Sequence, residues 1–206
     1  MVPRFASAHG SVSPDLPRAA SRYVTGKLLI ASKDVAPGSR IGMYGGRESQ
    51  LVAAPSMHTV QLHDGAHAEA VGGMEYASHC CRPNCVLEPV WRRVGQRGMD
   101  DLVGLAVVST QWIEAGAPIT FDYNSSEECI SHPFMPGCKV ASKGDPRCRD
   151  AKDGVRGFAF LSRDEQENVL PIATPFLRQR AEEERNTARK DQRSPVTRHA
   201  REAQSH

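Results

Sequence analysis

What this chain of 206 residues lacks narrows its class before any motif is considered. No apolar run approaches the roughly 18 residues that a membrane span needs, so no membrane partner is expected. The net charge is only +2, with both signs spread along the chain; a dedicated nucleic-acid binder shows a strong basic excess, so no direct nucleic-acid site is predicted. Hydrophobic residues make up 39%, a low share, so part of the length is expected to lie outside the core. The length suits one domain with a tail better than two domains. Residues 1–22 lack the apolar core of a signal peptide. Rich in Arg, Ser and Ala, with Asp15 the single acid, they read as a disordered leader in preference to an organelle transit peptide. Without a secretory signal, the six cysteines are expected as reduced thiols in an intracellular compartment, nucleus or cytoplasm. A monomer is expected.

From Tyr23 to Asn124 the chain has many short strand signals, regular turns and almost no helical period. "DVAPG" is a turn set by proline and glycine, and "RIGMYGG" a short strand ended by glycines. "HTVQLHDGAH" breaks at Asp64-Gly65, a hairpin signal. "CVLEPVWRRV" reads as a strand, and "LVGLAVVSTQWI" as the most apolar one, with Gly95–Asp101 the loop between them. "EAGAPITFDYN" is a turn leading into another strand. The fold class is mostly β. After Ser125 the chain is irregular and rich in Gly, Pro and Cys. "RDEQENVL" reads as a short helix capped by Ser162 with Glu165 three residues on. From Ala181 to His206 helix formers occur without an apolar stripe, which predicts a charged, disordered tail.

Three cysteines and a histidine crowd into "EYASHCCRPNC", Glu75 to Cys85. As a metal clip it is poor, because adjacent Cys80 and Cys81 cannot easily reach one tetrahedral ion, and Cys138 and Cys148, ten apart, make a weak second pair. As a thiol nucleophile site it is undecided, since catalytic partners meet in space and not in sequence. One or two of these cysteines can equally be small buried residues. Composition leaves all three readings open.

Order along the chain adds more. "YASHCCRPNC" resembles the SET-domain signature R-F-I-N-H-S-C-x-P-N-C, and "VVSTQWIEAGAPITFDYN" that family's second signature. Upstream, "GKLLIASKDVAPGSRIGMYGG" resembles its opening segment. Downstream, "SHPFMPGC" and "RCRDAKDGVRGFAFLS" resemble its post-SET segment. Four blocks in order, from Tyr23 to Arg178, form a specific signal. The resemblance implies small curved β-sheets with a pseudoknot, followed by short C-terminal helices. It also divides the chain into a leader (1–22), a SET domain (23–125), a post-SET-like segment (126–180) and a tail (181–206).

The implied activity is that of a protein-lysine N-methyltransferase with S-adenosylmethionine as methyl donor. The implied partner is a protein substrate with an exposed lysine, such as a histone tail. Tyr123 of "FDY" takes the place of the catalytic hydroxyl, Tyr44 that of the other channel tyrosine, and Phe121 that of the residue setting room around the amine. Gly26, Lys27, Leu28, Ser78, His79 and Tyr123 fall at cofactor-binding positions. Three departures stand out. Ser78 replaces the signature asparagine, the opening glycine pair is reduced to Gly26 and Leu28, and Pro136 stands at the first post-SET ligand position, with Cys138 at the second and Cys148 after an insertion. With Cys81, at most three thiolates remain, so no zinc is expected, the minority alternative being substitution by Cys85 or Cys129. The departures also admit a SET-like module that has lost catalysis and binds a protein partner. A zinc-binding interaction module built on "HCCRPNC" is the third reading.

Overall fold

A computed structural model describes residues 5–7, 28–94, 99–136 and 148–193. Gly26, Lys27 and Cys138, together with most of the leader, lie outside the described residues.

The strands in chain order are β1 (Phe5–Ser7), β2 (Leu29–Ala31), β3 (Arg40–Gly45), β4 (Leu51–Val52), β5 (Thr59–His63), β6 (Ala66–Val71), β7 (Ser78–His79), β8 (Cys85–Val94), β9 (Met99–Ser109) and β10 (Thr120–Phe121). The largest sheet has six strands, in the order β4-β6-β3-β9-β8 with β5 paired to β6. β8 covers the predicted strand "CVLEPVWRRV" residue for residue. Asp64-Gly65 turns β5 into β6, with Gly65 at φ 66, a conformation that glycine adopts without steric cost. β1 and β2 form a separate antiparallel pair, and β7 and β10 a parallel one. The observed fold is mostly β, as the sequence predicts.

β3 lies between β6 and β9, pairing Tyr44 with Ala70 on one side and Leu105 on the other. Gly104 sits across from Gly45, and a Cβ on it would fall 2.4 Å from the Tyr44 carbonyl oxygen. The close approach of the two backbones therefore depends on glycine there. Leu29, Ile41, Leu62, Met74, Leu105, Val107, Ile113 and Ile119 fill the main core, each at most 2% exposed.

A second, smaller core forms from the C-terminal part of the chain. Helix α1 (Arg163–Val169) starts at Ser162, whose side chain accepts from the Glu165 amide while the Glu165 carboxylate reaches back to the Ser162 amide. This is the predicted capping box. Helix α2 (Pro175–Arg193) places Phe176, Leu177 and Ala181 against Phe158, Val169 and Ala173. The two cores are tied where the Thr174 amide donates to Ser125 O at 2.9 Å and the Phe158 amide to Glu127 O at 2.8 Å. The sequence placed residues from Ala181 onward in a disordered tail; the chain stays helical to Arg193. Residues 182–190 are exposed, so the apolar stripe is indeed missing there. The helix is nucleated by its docked first turns and only propagates beyond them, which requires no further burial. Residues 194–206 lie outside the described residues.

Candidate functional site

The two motif segments meet through β7 and β10. Thr120 pairs with Ser78 and Phe121 with His79, and the Ser78 and Cys80 amides donate to Ile119 O and Phe121 O. Asn84 braces this crossing. Its Nδ2 donates to Pro118 O at 2.8 Å, and its Oδ1 accepts from the Thr120 amide at 2.8 Å. The turn residue thus acts through side-chain-to-backbone bonds across the chain crossing. Asp122 and Tyr123 follow directly from β10, so the register of two short strands fixes where Tyr123 emerges.

Four aromatic rings gather at this point. Phe121 lies between Tyr44, at 5.9 Å edge-on, and Tyr123, at 4.8 Å tilted. Phe134 stands edge-on to Tyr123 at 5.9 Å. Tyr44 and Phe121 are buried, whereas Tyr123 and Phe134 are half-buried and form the accessible face of the group; Leu28 and Ser78 are half-buried as well. Both tyrosine protons are committed to the turn at residues 74–77: Tyr44 Oη donates to Met74 O at 2.8 Å, and Tyr123 Oη to Ala77 O at 2.6 Å. Burial raises the pKa of both phenols, helped at Tyr123 by Glu127 and at Tyr44 by Tyr123, Glu127 and Glu75. They remain neutral hydroxyls with oxygen lone pairs free to accept.

Glu127 follows Tyr123 by one turn, its amide donating to Tyr123 O at 3.0 Å. Its Oε1 accepts from the Gln61 amide at 2.9 Å. Burial pushes this carboxyl up to about 8, with the bond from Gln61 acting in the opposite direction.

Behind Tyr123 lies a buried polar cluster. His79 Nδ1 accepts from the Tyr123 amide at 3.1 Å, and His79 Nε2 is 3.0 Å from Asp150 Oδ2. Arg149 forks onto Asp122, at 2.7 and 2.9 Å, and also contacts both oxygens of Asp150 at 2.9 Å. Burial alone would raise the pKa of Asp150; the bonds from His79 and Arg149 outweigh it and hold the group below the usual carboxylate range. For Arg149, burial is outweighed by Asp122 and Asp150, which drive its pKa up. His79, Asp122 and Asp150 bring ligand atoms within 4.8 Å of one another, a spacing that suits a cation. The guanidinium of Arg149 already supplies the positive charge to both carboxylates.

The thiols do not form a complete metal cage among the described residues. Cys81 Sγ lies 3.5 Å from Cys148 Sγ, and hydrogen bonding from Cys80, with a contribution from Cys148, lowers the Cys81 thiol to about 5 against the opposing effect of burial. Cys85 is buried beside Asn84, its thiol pushed up to about 12 by burial, and Cys129 is exposed. A tetrahedral zinc needs four ligands; Cys80, Cys81 and Cys148 bring three thiols together, and Cys138 lies outside the described residues.

Of the residues singled out from sequence, Tyr123, Tyr44, Phe121 and His79 are brought into one contiguous group. Ser78 pairs with Thr120 beside them, and Leu28 directly precedes β2. Sequence reasoning assigned no role to Phe134, Asp122, Asn124, Glu127, Arg149 or Asp150. Phe134 sits in a quoted motif block, "SHPFMPGC", and "RCRD" in another, so block position was the available signal.

A family model described as the SET domain matches residues 26–124. No curated protein matches the chain. Among solved structures, a Plasmodium falciparum protein described as a histone methyltransferase aligns at 10% identity over 60% of this chain and 95% of its own, with a TM-score of 0.39. That likeness is too distant to carry an argument.

Proposed function

The chain is a SET-domain protein, and on that premise we propose that it is an S-adenosylmethionine-dependent protein-lysine N-methyltransferase. The observation that carries the reading is the convergence of Tyr123, Phe121 and Tyr44 on one aromatic group whose two hydroxyls are neutral and have donated their own protons elsewhere. Aromatic faces and neutral oxygen acceptors suit a sulfonium-borne methyl, which is positively polarised, and a lysine amine. The donor group supplies an electrophilic methyl on sulfur for direct displacement by the amine. Ser78, His79 and Leu28 are the described residues that would hold it; Gly26 and Lys27 belong to the same proposal.

The residues of the chain then have three tasks. The first is to favour the neutral amine, because an ammonium has no lone pair to attack with. Free lysine has a pKa of about 10.4, and an apolar aromatic wall disfavours its charged form. Phe121, Phe134 and the ring of Tyr123 supply that wall. The second task is to align the amine. Tyr123 Oη, fixed by Ala77 O, accepts from the incoming N–H group or the polarised methyl. The third is to leave room for the product. Phe121 has no hydroxyl, so no ordered water or added bond crowds the amine from its direction.

The substrate class is a protein with an accessible lysine, a histone tail being one form. Calorimetry on the purified protein tests the reading: S-adenosylmethionine binding in the micromolar range is expected. Binding no tighter than millimolar would overturn it and leave the catalytically degenerate, partner-binding module. That second reading is favoured by one observation, serine at position 78 where a longer amide side chain would reach further.

A further inference from the structure

We propose that Asp150 and Arg149, from the segment beyond the family-matched region, are positioning residues that hold Tyr123 in place through His79, Asp122 and Asn124. The inference rests on the reading of Tyr123 as the reacting hydroxyl and adds the means by which it is held.

Three consecutive residues, 122 to 124, are each tied to residues 149–157. Both carboxylate oxygens of Asp122 accept from the guanidinium of Arg149. The Asn124 Nδ2 donates to Asp150 Oδ1 at 3.0 Å, and its Oδ1 accepts from the Gly157 amide at 2.8 Å. Gly157 makes that approach possible. Its φ is 110, and a Cβ there would fall 2.5 Å from Glu128 O. Tyr123 itself is held at one remove. Its amide donates to His79 Nδ1, so that nitrogen must be unprotonated. The ring proton then sits on Nε2 and points at Asp150 Oδ2, 3.0 Å away. Asp150 therefore selects the tautomer that lets His79 accept the Tyr123 amide. In the other tautomer, an Nδ1 proton would face the amide proton, donor against donor.

The arrangement is more than a fold contact. The bonds converge on Tyr123 and its two neighbours, and the groups that bind them reach its backbone and not its hydroxyl. Loosening them shifts the Tyr123 Oη relative to Ala77 O and the reacting atoms, which lowers rate more than donor affinity. The cluster carries its own cation, Arg149, so the clamp works without a metal.

The test uses the full chain and the variants Asp150→Ala and Asp150→Asn. Long-range proton–nitrogen NMR correlation reads which nitrogen of His79 carries the proton, and this needs no activity. Wild type is expected to show Nε2–H alone. Asp150→Ala is expected to show a tautomer mixture, kcat lower by on the order of 100-fold, and a much smaller loss of S-adenosylmethionine affinity through His79. Asp150→Asn keeps an oxygen acceptor for His79 but pairs poorly with Arg149, so it should restore the tautomer and only part of the rate. A folded Asp150→Ala protein that keeps pure Nε2–H and full kcat overturns the proposal. Should Asp150→Ala fail to fold, Asp150→Asn decides: a wild-type rate with that variant overturns the clamp. Should the wild type transfer no methyl at all, the activity reading falls, and the tautomer in Asp150→Ala still decides whether Asp150 sets His79.

Discussion

The backbone amide of Tyr123 donates to Nδ1 of His79 at 3.1 Å, and the two rings stand edge-on with centroids 5.4 Å apart. One contact fixes the main chain and the other the ring plane. The hydroxyl is fixed a third time by Ala77 O. A side chain held at three points loses little further freedom when a reaction begins, which is the physical meaning of preorganisation.

Tyr123→Phe removes the one hydroxyl on the accessible face that has given up its proton and can still accept. Turnover on a lysine peptide library should fall by about 100-fold, while S-adenosylmethionine affinity stays within a few-fold, because the contact strengthens mainly in the transition state. Full turnover in this variant would remove Tyr123 from the mechanism.

Phe121→Tyr adds a hydroxyl between Tyr44 and Tyr123. The first methylation should persist and the product mixture should shift toward monomethyl-lysine, read by mass spectrometry. An unchanged product ratio would show that Phe121, which is buried at 2% exposure, is packing alone.

Glu127 gives the fold a pH dependence. Its carboxyl is raised from an ordinary value of 4.5 to about 8, so the folded state holds a proton that the unfolded state has released. Its stabilising contribution is complete below the ordinary value and is lost as pH rises through about 8. The wild-type melting temperature should therefore decline between those limits relative to Glu127→Gln, which stays neutral and keeps an oxygen for the Gln61 amide. Parallel melting curves for the two proteins across that range would contradict the burial of this carboxyl.

Helix α2 divides into a docked part and an exposed part at 182–190, which touches α1 through the Arg185–Glu167 ion pair at 3.8 Å. Removing residues 182–206 should change the melting temperature by no more than a few degrees, since the side chains at 182–190 are exposed. Leu177→Ala, at a fully buried position, should cost about 2–5 kcal/mol by chemical denaturation. A large loss on truncation would mean that the far end of α2 or the residues after it pack on the domain.

Elemental analysis is expected to find less than one zinc per chain. The described residues bring three thiols together, Cys80, Cys81 and Cys148, short of the four ligands that a structural zinc takes. One zinc per chain, lost in Cys148→Ser, would show that Cys138 or another group completes the site.

Much of the β framework was legible because each strand there ends at a residue with its own turn chemistry, as at Asp64-Gly65, and because "CVLEPVWRRV" is bounded on both sides. The cap of α1 was legible for the same reason: Ser162 and Glu165 are three residues apart, and their bonds are local. The polar clamp was not. His79 and Asp150 are 71 residues apart, and no local pattern marks one charged residue in "RCRDAKD" as the partner of a distant histidine. Tyr44 shows the opposite case. Motif order located it, but only packing shows that it is buried, with its hydroxyl bonded to the Met74 carbonyl.

The parallel pairing of Ser78 with Thr120 has a consequence for how the protein is born. A ribosome releases the chain from its N-terminus, and β7 must wait for β10 before either has a partner. Even then Asp122 and Asn124 lack Arg149, Asp150 and Gly157, which emerge later still. Such long-range contacts close slowly because the intervening chain must first be ordered. A nascent chain ending at residue 124 would contain the whole family-matched region and none of the bonds from the later segment. Tyr123 is thus set only once residues 149–157 have emerged, after the sheet that carries Tyr44 has had time to form.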